Sequence, residues 1–370
     1  MLRSARFILM ALAGISLLAA LWTGLARLGW DLPLPDPDFT SLHGPLMVIG
    51  FLGTLIGLER AVAIDRPWVY GIPSFSALSY LALLAGAPRQ AVALLATAAA
   101  VLFVVFFASL YRRQPSEHFI VMTLSAAALC VGNLIWLTEA PLSEVVPWWV
   151  GFLVLMIAGE RLELNRIRRP PLNVRLLFRL SVALTLVGLL GSIFDFFTGV
   201  RIAGIGLIAL ALWLLRYDLA WQSLQQPSLP RFMGSCLIAG YLWLAVGGAL
   251  WLLLAGSFVA GPLYDSMLHS IFLGFVFSMI FAHGPVILPV ITGKKMAFLI
   301  SFYFHATLLH FGLVLRVLGD LAALPSAQKW GGALNALAII LFLVNNIRAV
   351  RRAAKSLVVA GQPSRPSARI

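Results

Sequence analysis

Five of the six histidines sit inside strongly apolar runs: His43, His269, His283, His305 and His310. An imidazole surrounded by hydrocarbon is costly unless a partner satisfies its ring nitrogens, so each of these is a functional candidate by position alone. The neutral ring offers one lone pair to a metal, and two rings from different helices at one depth could hold a haem iron between them. The chemistry open to such a pair is therefore ligation and redox tuning. His269 and His283 bracket the stretch HSIFLGFVFSMIFAHGPVILPVITG, 269–293. They are fourteen residues apart, which at 100° per residue leaves them about 40° apart around a helix and about 21 Å apart along it. They share a face and differ in depth.

Counting from the ends of the apolar runs gives each a neighbour. His43 opens its run directly after the Pro-rich loop DLPLPDPDFTSL and lies at the depth of His269. By position alone it reads equally as a helix-start residue or as a ligand. His283 and His305 share the other half of the bilayer. His310 is five residues beyond His305, a step that turns it about 140° away on a helix. These three either satisfy one another, or a Ser or Thr, by hydrogen bonds, or they form a second metal site for a haem or a copper ion. Arg316 stands near the end of its run at the depth of His269. A guanidinium matches carboxylate geometry, which makes Arg316 a candidate partner for a haem propionate; the alternative is a side chain that snorkels to the interface. His118 follows the basic turn RRQPSE and reads as a solvated interface residue. Pro285 and Pro289 are expected to break or kink the helix after His283. No phosphate-binding glycine loop, Cys-x-x-Cys pair, nucleophile elbow or HExxH helix competes with these residues.

The elements that must position them follow from composition. The chain is 61% hydrophobic and 11% charged, with a mean hydropathy of +0.95, too little charge to cover a soluble domain of this size. Apolar runs long enough to span a bilayer fall near 7–29, 42–64, 70–87, 90–111, 118–138, 145–159, 174–197, 201–217, 232–257, 265–291, 296–318 and 330–349. The expected fold is all-α, a single polytopic transmembrane domain over 1–352 with about twelve helices. A basic tail without a fixed fold is expected over 353–370. With the N-terminus in the cytoplasm, 22 of the 27 Lys and Arg fall on the inner side, which predicts both termini inside an inner membrane. The net charge of +13 is thus topological, and no nucleic-acid partner is expected. The apolar run after MLRSARF lacks a small-x-small cleavage site and reads as a retained first span. Trp30, Trp148 and Trp149 are expected at the outer interface, and Cys130 and Cys236 as packing residues.

A repeat runs through the spans. Gly50-Phe51 in the second is followed by Glu59-Arg60, and Gly151-Phe152 in the sixth by Glu160-Arg161, with Phe and Glu eight residues apart in both. Gly274-Phe275 in the tenth has His283 in the place of the Glu. Either this is coincidence in a low-complexity sequence, or the chain comprises three four-helix units in which the second, sixth and tenth helices are equivalent. Both Glu-Arg pairs are expected to be inner-surface ion pairs, with proton carriers as the alternative.

These residues resemble a known family. The run His43-Gly-Pro-Leu-Met47-Val-Ile-Gly50-Phe51 is similar to the first conserved block of the NnrS family, and His269 with Gly274, Met279 and Thr292-Gly293-Lys294 is similar to its second. The Leu315-Arg316-Val317-Leu318 ending also looks like that family. NnrS proteins are haem- and copper-containing membrane proteins linked to nitric oxide metabolism and nitrosative-stress resistance, and distantly resemble the haem–copper oxidase catalytic subunit. The resemblance implies a b-type haem held by His43 and His269, copper as a further metal, and nitric oxide or a small metal adduct as the ligand, among membrane lipids as surroundings. The chain departs from the family where Pro45 and Leu46 replace a His and a Glu, and where ILPVITGKK replaces an LGHTGR-like run. The sixth and seventh spans have no histidine, so a proton-pumping oxygen reductase is not expected. Any enzymatic activity would be redox chemistry at the haem.

A rival reading is a haem-free transporter or permease, hinged at Gly284-Pro285 and Pro289, with His283 and His305 as proton-linked substrate contacts. Three four-helix units argue against the two inverted halves common in such proteins. A purely structural subunit would leave the intramembrane histidines unexplained.

Overall fold

In hydrocarbon every main-chain N–H and C=O must be satisfied within its own segment, which selects helices for runs this apolar. The computed structural model describes residues 2–168 and 170–360, and among them there are helices and connections but no β-strand. In chain order the principal helices are α1 (Leu2–Arg27), α2 (Asp38–Ile64), α3 (Gly71–Leu84), α4 (Arg89–Arg113), α5 (Glu117–Leu137) and α6 (Leu142–Asn165). There follow α7 (Leu172–Gly191), α8 (Phe196–Tyr217), α9 (Leu229–Ser257), α10 (Pro262–Thr292), α11 (Phe302–Leu321) and α12 (Pro325–Ala360). The chain is an all-α, multi-span membrane protein: eleven helices among the described residues are long and apolar enough to cross a bilayer. The third expected span is the short one. α3 has 14 residues, or roughly 21 Å of rise, and a 3-10 turn at Pro67–Tyr70 leads into it.

Polar contacts sort the helix ends into two faces. On one, Arg6 reaches Asp65 at 2.6 Å and Tyr70 at 2.8 Å, Arg60 pairs with Glu160, and Arg175 and Arg179 grip Glu117. On the other, Arg89 donates to the main chain at Glu139 and Ala140. There Lys329 also caps Gly29 at 2.7 Å, and Trp30 meets Trp330 edge-on at 5.0 Å. The first is the basic face. Helices alternate between the two, as the charge count requires.

The three helices that share the Gly-Phe pair are the central ones. α2, α6 and α10 have 67, 83 and 61% of their apolar windows buried, against at most 56% in any other span. Their glycines lie at tight crossings: a Cβ on Gly50 would strike Ser16 and Tyr80, on Gly151 Leu189, and on Gly274 Trp243. Small residues let helix backbones approach where no hydrophobic drive operates between them. α2 and α10 are also wound alike. Each passes into a π-helix, Leu46–Gly53 and Ser270–Phe277, just after its outer histidine. Phe51 and Phe277 from these two segments lie 6.1 Å apart, with planes inclined by 24°. Such i→i+5 turns often mark functional sites.

Several expectations change. Pro285 and Pro289 do not end α10, which runs on to Thr292 and stops where Gly293 takes φ +69°. Trp148 and Trp149 are buried rather than interfacial, because α6 is enclosed on all sides; Trp149 donates to Asn133 at 2.9 Å. α12 continues through Ala360, so 353–360 of the expected tail is helical, and 361–370 lies outside the described residues. Cys130 and Cys236 are free thiols, as expected of packing residues.

Candidate cofactor site between the central helices

His43 enters α2 from a 3-10 turn, Pro37–Leu42, that Asp36 caps through the Asp38 N–H at 2.8 Å. Its Nδ1 lies 2.7 Å from the Ala20 carbonyl of α1. That approach needs Gly24: a Cβ there would sit 2.7 Å from the same ring nitrogen. His269 turns its Nδ1 back along α10 to the Asp265 carbonyl at 3.0 Å and the Asp265 carboxylate at 3.1 Å. Carbonyls and carboxylates only accept, so both rings carry their proton on Nδ1 and leave Nε2 with a lone pair uncommitted. The ring centres are 6.1 Å apart and the planes inclined by 28°.

The separation of these two rings matches that of two imidazoles on one metal ion. A ligating nitrogen lies about 2 Å from its ion and about 1.2 Å from its own ring centre, so two rings on opposite sides of one ion have centres roughly 6.3 Å apart. The carboxylate behind His269 is the outer-shell arrangement that fixes tautomer and ring orientation in metal-ligating histidines. Two protein ligands suffice where a porphyrin supplies the others. The rings open on a cavity of about 540 Å³ between α1, α2, α6, α10, α11 and α12, within the usual range for cofactor sites. Met47, Trp149, Phe272 and Phe277 line its apolar part, and Arg27, Arg316, Gln328 and Asn335 its polar part.

Arg316 is on this site, but its first partner is protein. Its Nε and Nη2 meet the two oxygens of Asp265 at 2.6 and 2.8 Å, a bidentate pair. Within the cavity lining, Arg27 joins Arg316 as a cation available to an acidic group. Asp320 lies beside Asp265, buried, with neither oxygen hydrogen-bonded at normal length.

The inner histidines do not converge. No group of three His, Cys, Asp or Glu able to hold an ion occurs among the described residues. His283 places Nδ1 2.8 Å from the Met279 carbonyl and Nε2 3.4 Å from Arg161 Nη1, a guanidinium that would repel a metal cation. His305 bonds Asn345 at 3.1 Å and is caged by Phe232, Phe281, Phe302 and Phe342. His310 accepts from the Trp243 indole at 3.2 Å. These three are hydrogen-bonded separately, to a main-chain carbonyl and Arg161, to Asn345 and to Trp243, and not to one another or to a Ser or Thr. His118 is buried rather than solvated, because the α6 and α7 ends close over it; its Nε2 lies 3.2 Å from Ser116 and 3.9 Å from Glu163.

The Glu-Arg pairs also resolve differently. Arg60 pairs with Glu160 across α2 and α6. Arg161, the next residue, turns inward to Asp218 with bonds of 3.0 and 2.7 Å. The Tyr241 hydroxyl and the Ala220 N–H also donate to Asp218, at 3.0 and 2.9 Å. The carboxylate is fully buried and accepts four hydrogen bonds, one at Oδ1 and three at Oδ2, the kind of satisfaction that lets an ion pair persist in a low-dielectric interior. Sequence reasoning missed this pair, since only the packing of α6 on the turn after α8 brings it together. It also missed Asp265, although the spacing Asp265-x-x-x-His269, one helical turn, was a readable signal.

Fold and site define a multi-span helical membrane protein with a two-histidine cavity between its central helices. By sequence, the chain belongs to the family described as domain of unknown function DUF8744, which it matches over residues 6–351. No curated protein matches it.

Proposed function

We propose that this chain is an integral membrane haem protein, in which His43 and His269 hold a b-type haem and nitric oxide or a small metal adduct is the physiological ligand. One observation carries the reading: two histidines from different central helices face one cavity, 6.1 Å apart, each with Nδ1 engaged and Nε2 free. The NnrS-like blocks around His43 and His269 support it independently. A bound haem would supply a redox-active iron whose potential depends on its axial ligands and their hydrogen bonds.

The chain's own residues do the rest. Asp265 orients His269, and Arg316 holds Asp265 in place. Arg27 and the remaining Nη1 of Arg316 are the cations suited to propionates. Trp149, Phe272 and Phe277 give the cavity an apolar wall. The two histidines are unequally anchored: His269 has two acceptors behind it and His43 a single carbonyl. Were a haem held here, His43 would be the less firmly fixed of the two side chains. With the positive-inside rule, the basic face is cytoplasmic and the haem cavity lies in the outer half of an inner membrane. The test is a pyridine haemochrome assay on the purified, folded protein.

A further inference from the structure

A second cavity, of about 370 Å³, opens on the basic face, far from the histidine pair in the fold, between the start of α5, the end of α6 and the start of α7. Arg166, Arg175, His118 and Glu117 line it, with Leu162 and Pro170 as its apolar wall. Arg179, one helical turn beyond Arg175, shares Glu117 with it. Arg168 stands two residues from Arg166 and spends one N–H on the Tyr217 carbonyl at 3.3 Å. Against these four guanidinium groups stand the carboxylates of Glu117 and Glu163, which leaves a surplus of positive charge. Arg166 makes no ion pair among the described residues. A cavity with unspent positive charge at the edge of a membrane protein suits an anionic head group.

The flank of the cavity shows which source of anion it suits. Leu172, Leu176 and Leu180 form a stripe at helical spacing along α7, beside Arg175 and Arg179, and are 62, 44 and 65% exposed. Nothing in the bundle covers them, so in a bilayer they face acyl chains. A ligand reaching from the arginines onto this stripe needs a phosphate at one end and a hydrocarbon tail at the other. Long guanidinium side chains set at the helix start are placed at head-group depth. We infer that this cavity binds the phosphate of an anionic phospholipid, with one acyl chain lying along Leu172, Leu176 and Leu180. The inference is independent of the haem reading.

Native mass spectrometry of the full-length protein, in detergent with added phosphatidylglycerol or phosphatidylcholine, tests it. Phosphatidylglycerol should be retained in preference. Arg166→Gln, which breaks no ion pair, should weaken that retention about fivefold, the worth of one charge at an anionic lipid surface. Arg166→Gln with Arg175→Gln should weaken it further, while Arg201→Gln on the opposite face should leave it unchanged. Equal retention of the two lipids, or an Arg166→Gln protein that binds like the wild type, overturns the inference. Displacement of phosphatidylglycerol by an excess of inorganic phosphate also overturns it, by assigning the cavity to a soluble anion.

Discussion

Arg316 lies flat against Asp265, with both guanidinium–carboxylate bonds at 2.8 Å or less, and the same carboxylate stands 3.1 Å behind the His269 imidazole. One residue of α11 thus holds the carboxylate that orients the His269 ring on α10. Asp265→Asn should lower haem retention by about 10- to 100-fold, the usual cost of losing an outer-shell partner. It should also lower the thermal unfolding midpoint, because Arg316 is left charged and enclosed. Haem per polypeptide after dialysis checks the first effect, and unchanged retention would count against the assigned role of Asp265.

Gly24 makes room for the His43 ring. Gly24→Ala puts a methyl against the His43 ring, whereas Gly14→Ala on the same helix meets nothing within 4 Å. The first variant should lose haem or shift its spectrum, and the second should match the wild type. Visible spectra of both, at equal protein concentration, make the comparison.

The Arg161–Asp218 pair is expected to be structural. Asp218→Asn strands a buried guanidinium, at a cost of about 3–5 kcal/mol. Tyr241→Phe removes one hydrogen bond to a charged group and should cost about 1.5–3 kcal/mol. Unfolding of the two variants in detergent should show this order, with the Soret band of the folded fraction unmoved in both.

His305 predicts the opposite of a metal ligand. Its Nε2 is buried without a partner inside a cage of four phenylalanines. His305→Phe removes this unsatisfied atom and also the bond to Asn345, which keeps the Ser301 carbonyl as a partner, so the two effects offset and stability should change by no more than about 1 kcal/mol, with metal content unaltered by elemental analysis. A loss of copper in that variant would restore the second metal site suggested at the sequence level.

Much of this architecture could be read from residues. Apolar runs of span length fold as helices because the bilayer allows little else, and depth counted from the run ends paired His43 with His269. The Gly-Phe repeat pointed to α2, α6 and α10, whose glycines meet neighbouring helices too closely for a side chain. What escaped was set across helices. Arg161 and Arg60 each follow a Glu in sequence, yet one turns inward to Asp218 and the other crosses to Glu160. Trp148 and Trp149 carry an interfacial composition, but the enclosure of α6 buries them. The π-helical turns at Leu46–Gly53 and Ser270–Phe277 leave no mark in composition, since an i→i+5 bond uses the same apolar residues as an α-helix.

The central claim is that His43 and His269 hold a haem between them. The pyridine haemochrome assay with visible spectra on wild type, His43→Ala, His269→Ala and His118→Ala tests it most directly. About one b-type haem per chain is expected, low-spin in the wild type and in His118→Ala. His269→Ala should lose the haem, and His43→Ala should keep part of it in a five-coordinate, high-spin form. Correctly folded wild-type protein without haem, or a low-spin spectrum that survives both His43→Ala and His269→Ala, would contradict it.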